Sequence, residues 1–291
     1  MSGIVPWLAL GAAVVILLII DLLVVRGRGG EMSTRQAAVA SAAWVAISFA
    51  FAGALLLFGT GEQAGAFVAG YLVEKSLSLD NVFVFLLVFG AFAVAPADRH
   101  RLLSYGILGA LVLRGVFIVA GAAALERFGW LSLVFAALLL YTAAKLWKHR
   151  HDSGGETALV ERIQQRLPLS GAAAALGALI VVDVIFAIDS VPAILAITTD
   201  TYVVFAANAF ALLGLRPLFF LVADLVERLY YLKAALAALL AFIALKMVAA
   251  EWVGKIGPEY SLPAIALILG TGVVASLVRE RRLAPGAPRP A

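Results

Sequence analysis

The stretch "EKSLSLDNVFVF", Glu74 to Phe85, lies inside a run from Gly65 to Ala95 that is otherwise almost wholly apolar. What surrounds that run decides the fold, because two acids and a lysine must be accommodated there. The chain has 291 residues, of which 64% are hydrophobic and 14% charged, and its mean hydropathy is +1.04. Soluble domains carry about 25% charged residues. Roughly 20 apolar helical residues cross the ~30 Å hydrocarbon layer of a bilayer. Working outward from Glu74, such runs occur at 4–25, 36–58, 64–94, 102–124, 129–147, 171–197, 202–224, 231–250 and 262–279. The expected fold is an all-α polytopic membrane protein of about nine transmembrane helices. The first run has no basic segment before it and is followed by "RGRGG", so it is expected to be a retained span and not a cleaved signal peptide.

Lysine and arginine placement predicts the orientation. With the N-terminus outside, the cytoplasmic segments hold Arg26, Arg28, Arg35, Arg99, Arg101, Lys148, Arg150, Arg162, Arg166, Arg228, Lys233, Arg279, Arg281, Arg282 and Arg289. The outer loops hold only Arg127 and Lys255. The C-terminus is then cytoplasmic, and the expected location is the inner (plasma) membrane. The basic excess is the cytoplasmic bias of a membrane protein, so no nucleic-acid partner is expected. Trp7, Trp130, Trp147 and Trp252 fall at span ends, as interfacial anchors do. There is no cysteine, which excludes disulfides, thiolate metal sites and thiol redox chemistry.

Charges left within the spans are Lys75, Arg114, Lys145, Arg216 and Lys246, against the deep acids Glu74, Asp80, Asp183 and Asp189. Asp21 and Asp224 lie near cytoplasmic span ends, where solvation or pairing with Arg26 or Arg228 is expected. Intramembrane charges face a bundle interior or a water-filled path. The plain structural alternative pairs Glu74 or Asp80 with Arg114, and Asp183 or Asp189 with Arg216.

The spacing of the acids is repeated. "VEKSLSLDN" (73–81) and "VDVIFAIDS" (182–190) set Glu74, Asp80, Asn81 and Asp183, Asp189, Ser190 at the same offsets. One span later "LVLRGVF" (111–117) aligns with "LGLRPLF" (213–219), placing Arg114 against Arg216. A span further, Lys145 matches Lys246. The single transmembrane domain of residues 1–291 would thus hold a three-helix repeat at 64–147, a cytoplasmic linker at 148–170, a second repeat at 171–250 and a disordered tail at 283–291. Three spans separate matching helices, so the repeats run in opposite directions. Inverted repeats with polar sites near the midplane are the architecture of secondary transporters.

At about 100° per residue Glu74, Ser78 and Asn81 share a face, as do Asp183 and Ser190, whereas Asp80 and Asp189 lie roughly 120° away. One cavity served by all four carboxylates requires the two helices to bend or unwind, with Ser76, Ser78 and Pro192 as the means. The four carboxylates, Asn81, Ser190 and Asn208 make an all-oxygen set suited to Mn²⁺, Mg²⁺ or Ca²⁺. His100, His149 and His151 all fall in cytoplasmic segments. Lys75, Arg114 and Arg216 offer counter-charge that an arriving cation displaces.

"GYLVEKSLSLDNVFVF", "DVIFAIDSVPAILAITTD" and "NAFALLGLRPLFF" resemble the TerC family of integral membrane proteins, within the LysE-type transporter superfamily. The resemblance covers spans 3 to 8; spans 1, 2 and 9 match in length and character only. It implies nine spans, export of Mn²⁺, roles in metal stress and tellurium resistance, and an ion path through Glu74, Asp80, Asp183 and Asp189. Family members carry a further glutamate three residues before Asp183, where this chain has Ile180.

The leading expectation is a divalent-cation exporter working by alternating access and coupled to protons. Mn²⁺ is its substrate, with no permanently bound cofactor. The alternative is a membrane partner that delivers manganese to exported enzymes at the secretion machinery, docking through residues 148–170. A second copy of the chain is the other candidate partner besides the lipid bilayer. Enzymatic function is not expected, because the chain has no intramembrane Ser/His pair, no HExxH and no phosphate loop. The linker "KHRHDSGGETALVERIQQRLP" is read as a solvated hinge before a metal sensor.

Overall fold

The computed structural model describes residues 3–26, 32–148, 160–165, 171–225, 230–253 and 258–283. All the long elements are helices: α1 (Ile4–Arg26), α2 (Thr34–Phe58), α3 (Gly61–Ala91), α4 (Pro96–Arg127), α5 (Leu131–Lys148), α6 (Ala172–Leu195), α7 (Thr201–Leu213), α8 (Leu215–Leu225), α9 (Leu232–Val253) and α10 (Pro258–Leu283). Each apolar run of the sequence coincides with one helix, except 202–224, which is broken into α7 and α8. The chain is an all-α polytopic membrane protein. Among the described residues seven helices are long and apolar enough to cross a membrane, and eight if the bent pair α7–α8 is one span. α3 stands outside that set and carries Glu74, Lys75 and Asp80 through its middle.

Local chemistry sets the helix starts. Ser33 and Gln36 form a reciprocal capping box on α2, and Thr60 accepts from the Gln63 amide on α3. Asp200 caps α7, its Oδ1 accepting from the amides of Tyr202 (3.0 Å) and Val203 (3.4 Å). The other oxygen of Asp200 accepts from Gln63 Nε2 at 2.8 Å. The first turns of α3 and α7 are therefore tied together, and these two helices set off from the same face of the bundle.

α7 is apolar on every side and buried over nearly its whole length, which makes it the centre of the molecule. α3, α4, α1 and α2 all pack on it. Close approach uses small residues, the usual device where lipid supplies no hydrophobic drive between helices. A Cβ on Gly70 of α3 would lie 3.2 Å from Ala207 Cβ of α7, and one on Gly121 of α4 would lie 2.9 Å from Leu195 Cδ1 of α6. Phe51, Phe67 and Phe210 fill the space beside the first contact, with ring centroids 4.6 Å (Phe51–Phe210) and 5.8 Å (Phe67–Phe210) apart. α5 packs along α9, and α10 closes on α9 and α3. Outward side chains such as Val5, Leu57 and Phe58 are exposed and apolar, as a lipid-facing surface requires.

The unwinding expected between the paired acids is not where the sequence pointed. α3 and α6 each run through unbroken. Ser76 Oγ donates back to the Leu72 carbonyl at 2.6 Å, satisfying itself within the helix. Pro192 lies inside α6, and the backbone bond it removes, to the Ile188 carbonyl, leaves the helix continuous. The break is instead in the seventh run, at Gly214, where α7 and α8 meet at 42°. Of the linker only 160–165 is described; it is helical, with Val160 and Ile163 buried and Gln164 Nε2 donating to the Ala91 carbonyl at 2.9 Å. The rest of the linker and the tail expected at 283–291 lie outside the described residues, apart from Leu283 at the end of α10.

Candidate functional site

Arg114 sits at the middle of α4 with no exposed surface. Its Nη1 pairs with Glu74 Oε1 of α3 and donates to Asn208 Oδ1 of α7 at 3.1 Å. Its Nη2 donates to Asp183 Oδ1 of α6 at 3.3 Å. The amide of Asn208 donates in turn to the Val204 carbonyl one turn earlier, at 3.1 Å, which fixes its oxygen toward the arginine. One guanidinium thus joins residues from four helices, and the two carboxylates at matching positions of the repeat meet on it.

The charges in this cluster do not balance. One guanidinium faces two carboxylates, both buried, so the ionised cluster carries a net charge of −1. Glu74 Oε2 and Asp183 Oδ2 accept no hydrogen bond, and neither do the buried hydroxyls of Ser78 and Ser190. Ser78 lies one turn beyond Glu74, and Ser190 two turns beyond Asp183, on the same helix faces. Buried polar atoms are ordinarily satisfied, and a group of unsatisfied ones needs an account. These four oxygens are of the donor type that hard divalent cations take; Arg114 Nε is also left without a partner. Beside Asp183 a cavity of about 10 Å³, lined by Phe85, Leu103, Gly106, Ile107, Ala110, Leu179 and Leu215, has room for about one water. A cavity of this size has no room for a hydrated ion.

Asn81 and Ser190 are buried as expected, and Asn208 is part of the Arg114 cluster. The side chains of Asp80 and Asp189 lie outside the described residues, so the four-carboxylate set is seen by half. Among the described residues no three His, Asp or Glu side chains come together. Ile180 stands partly exposed on α6 against α4 at Gly109, so the Arg114 cluster forms without an acid at that position.

Two expected pairings are corrected. Asp183 joins Glu74 on Arg114, leaving Arg216 to a different partner. Arg216, also buried, binds Asp21 of α1, with Nη2 3.1 Å from Asp21 Oδ2 and Nη1 donating to the Asp21 carbonyl at 2.9 Å. Its Nη2 also donates to Ser104 Oγ of α4. Asp21 is therefore neither left to solvent nor reserved for a cytoplasmic arginine. A contact between residues 21 and 216 leaves no local trace in the chain. Its only hint was a carboxylate short of the end of the first apolar run. The matching of Lys145 to Lys246 likewise hides a difference, since Lys145 is exposed on α5 and Lys246 buried on α9.

Residues 59–284 match the family model described as "Integral membrane protein TerC family". The chain belongs to the TerC family. It is 40% identical over 297 residues to "Uncharacterized membrane protein STKORF319" of Myxococcus xanthus, covering 94% of this chain and 92% of that one. It is 40% identical over 294 residues to "Putative membrane-bound redox modulator Alx" of Escherichia coli (strain K12), covering 91% and 89%. A membrane protein of Rickettsia felis is 32% identical over 301 residues, covering 95% and 99%. No solved structure matches this TerC chain significantly. The family match spans α3 to α10, and so contains every residue of the Arg114 cluster.

Proposed function

We propose that this TerC protein is a secondary transporter that exports a divalent metal cation, manganese foremost, by alternating access through the site around Arg114. The carrying observation is the uncompensated negative charge: two buried carboxylates on one guanidinium, with free oxygens on both acids and on Ser78 and Ser190. In the ion-free state Arg114 supplies the positive charge. A divalent ion drawn to the free oxygens, with Asp80 and Asp189 completing the ligand set, relieves the remaining imbalance and competes with the guanidinium for Glu74 and Asp183. All-oxygen ligation favours Mn²⁺, Mg²⁺ or Ca²⁺ over copper and zinc, and the family resemblance favours Mn²⁺ among them.

Packing supports two related halves. α3 lies on α7 and α6 lies on α4, while α5 lies on α9. An in-plane two-fold axis exchanging the repeats would turn the first pair into the second and leave the third in place. Nine spans, with α3 among them, and an outside N-terminus complete this reading. The delivery-partner alternative needs a free cytoplasmic surface, whereas the described part of the linker is packed against the end of α3. The name of the Alx relatives speaks of redox modulation. With no cysteine this chain offers no thiol couple, and carriage of a redox-active metal is consistent with that name.

The test is ⁵⁴Mn²⁺ flux by the purified protein in liposomes, against Ca²⁺, Mg²⁺ and Zn²⁺, with a pH gradient imposed or absent. Saturable Mn²⁺ flux accelerated by the gradient is expected. No flux of any divalent ion from folded, reconstituted protein refutes the carrier.

A further inference from the structure

The break between α7 and α8 holds a half-buried ammonium that the Arg114 cluster does not use. Lys75 follows Glu74 on α3 and so points about 100° away from it. Its Nζ donates to the Ala211 carbonyl at 3.1 Å. Ala211 is in the last turn of α7, whose final carbonyls have no partner within the helix and carry the negative end of its dipole. The helix cannot continue normally, because Pro217 has no N–H to offer the Leu213 carbonyl and its ring crowds that oxygen. Gly214 lets both neighbours approach closely: a Cβ there would lie 2.6 Å from Lys75 Nζ, which would have to move aside, and 3.0 Å from Trp44 Cβ of α2.

The other repeat serves as an internal comparison. In the register of Arg114 with Arg216, Gly214 corresponds to Val112 and Pro217 to Gly115; in the register of Glu74 with Asp183, Lys75 corresponds to Val184. α4 runs through Val112 without a break. Lysine, glycine, proline and break come together where α3 meets α7, whereas the corresponding places on α6 and α4 hold Val184, Val112, Gly115 and an unbroken helix. The break also divides two loyalties. Before it Asn208 is bound to Arg114, and after it Arg216 is bound to Asp21 and Ser104.

We propose that Lys75 is a positioning residue that locks the bend of the seventh span at Gly214. With its ammonium on the carbonyl end of α7, the half-helix at the ion site and the half-helix held by α1 keep one mutual angle. Withdrawal of the ammonium frees that angle, so that Arg216 and Asn208 move independently. Its use rests on the carrier reading, but its test does not.

Since the chain has no cysteine, Thr201→Cys and Leu221→Cys place a unique spin-label pair across the break of the full-length protein in nanodiscs. A narrow distance distribution is expected with Lys75 present. Lys75→Met keeps the length and apolar stem but not the charge, and is expected to broaden the distribution toward longer separations. Gly214→Ala, which drives out the ammonium by its Cβ, is expected to do the same, and combining the two is expected to add nothing. Parent-like distances in Lys75→Met overturn the lock. If that variant does not insert, Gly214→Ala decides in the same way. No ion is present in this measurement, so a failed lock and a failed carrier are told apart by distance and by flux.

Discussion

At the scale of single residues, the chemistry turns on how much of the buried charge is used up by protein. If Arg114 does no more than neutralise Glu74 and Asp183, its removal leaves two buried carboxylates unpaired. Breaking a buried pair in this way costs about 3–5 kcal/mol. Arg114→Met is therefore expected to lower the thermal unfolding midpoint in detergent markedly, and added Mn²⁺ to restore part of the loss by binding the same oxygens. A midpoint equal to the parent's would show that the cluster carries little stability. Asp80 and Asp189 are expected to behave differently. An amide keeps the shape and one acceptor oxygen but loses the negative charge a divalent ion requires, so Asp80→Asn and Asp189→Asn should leave inserted, folded protein without Mn²⁺ flux. Flux in inverted vesicles at matched expression is the measurement, and parental rates in both variants would end their assignment as ligands. The residue types of the cluster were legible in the chain, since buried charges in an apolar run advertise themselves. Glu74 meets Arg114, as the plain structural alternative had it; that Asp183 joins it there and not on Arg216 was not legible, because only packing separates the two arginines.

At the scale of elements, hydropathy located the helices well, because each span must be apolar over its own length whatever its neighbours are. The position of the break escaped that logic. Ser76, Ser78 and Pro192 were plausible openers of α3 and α6, yet Ser76 bonds back to its own helix and α6 stays helical through Pro192. "LGLRPLF" contained the true signal in Gly214 and Pro217, and what gives it force is the lysine from α3 and the tryptophan from α2 that close on the glycine. The seam between α3 and α7 has a sharper consequence. Gly70 leaves no room beside Ala207, so Gly70→Val overpacks the contact and should cost about 1–3 kcal/mol. The expected readout is a lower unfolding midpoint, with Gly11→Val on α1, where a Cβ meets nothing within 4 Å, as the tolerant control. Equal midpoints for the two would show that the seam can relax.

At the scale of the whole molecule, the Lys/Arg alternation and the parity of the spans make one joint statement. α3 and α7 start at the same face because Gln63 and Asp200 are hydrogen-bonded. A common starting face follows when an even number of runs crosses the membrane between them, as the nine-run reading expects. A phosphatase or fluorescent reporter fused after Ala291 is expected to report a cytoplasmic C-terminus, and an external signal would break the orientation. α1 and α2 lie outside the repeat, yet they supply Asp21 to Arg216 and Trp44 to Gly214. They brace the bundle around α8 and the break that precedes it.

By itself the sequence determined that this is a helical membrane protein, where its helices lie, and which charges are too deep to be idle. Those properties follow from the cost of moving each segment or side chain out of water, which depends on the segment alone. Tertiary structure decided the partners: Glu74 and Asp183 on one arginine, Asp21 on the other, and Lys75 on a helix end. A buried charge takes whichever counter-charge or carbonyl the packing of small residues brings within about 3 Å of it. In a bundle whose helices can associate in many orders, that proximity belongs to the assembled fold and to no stretch of the chain.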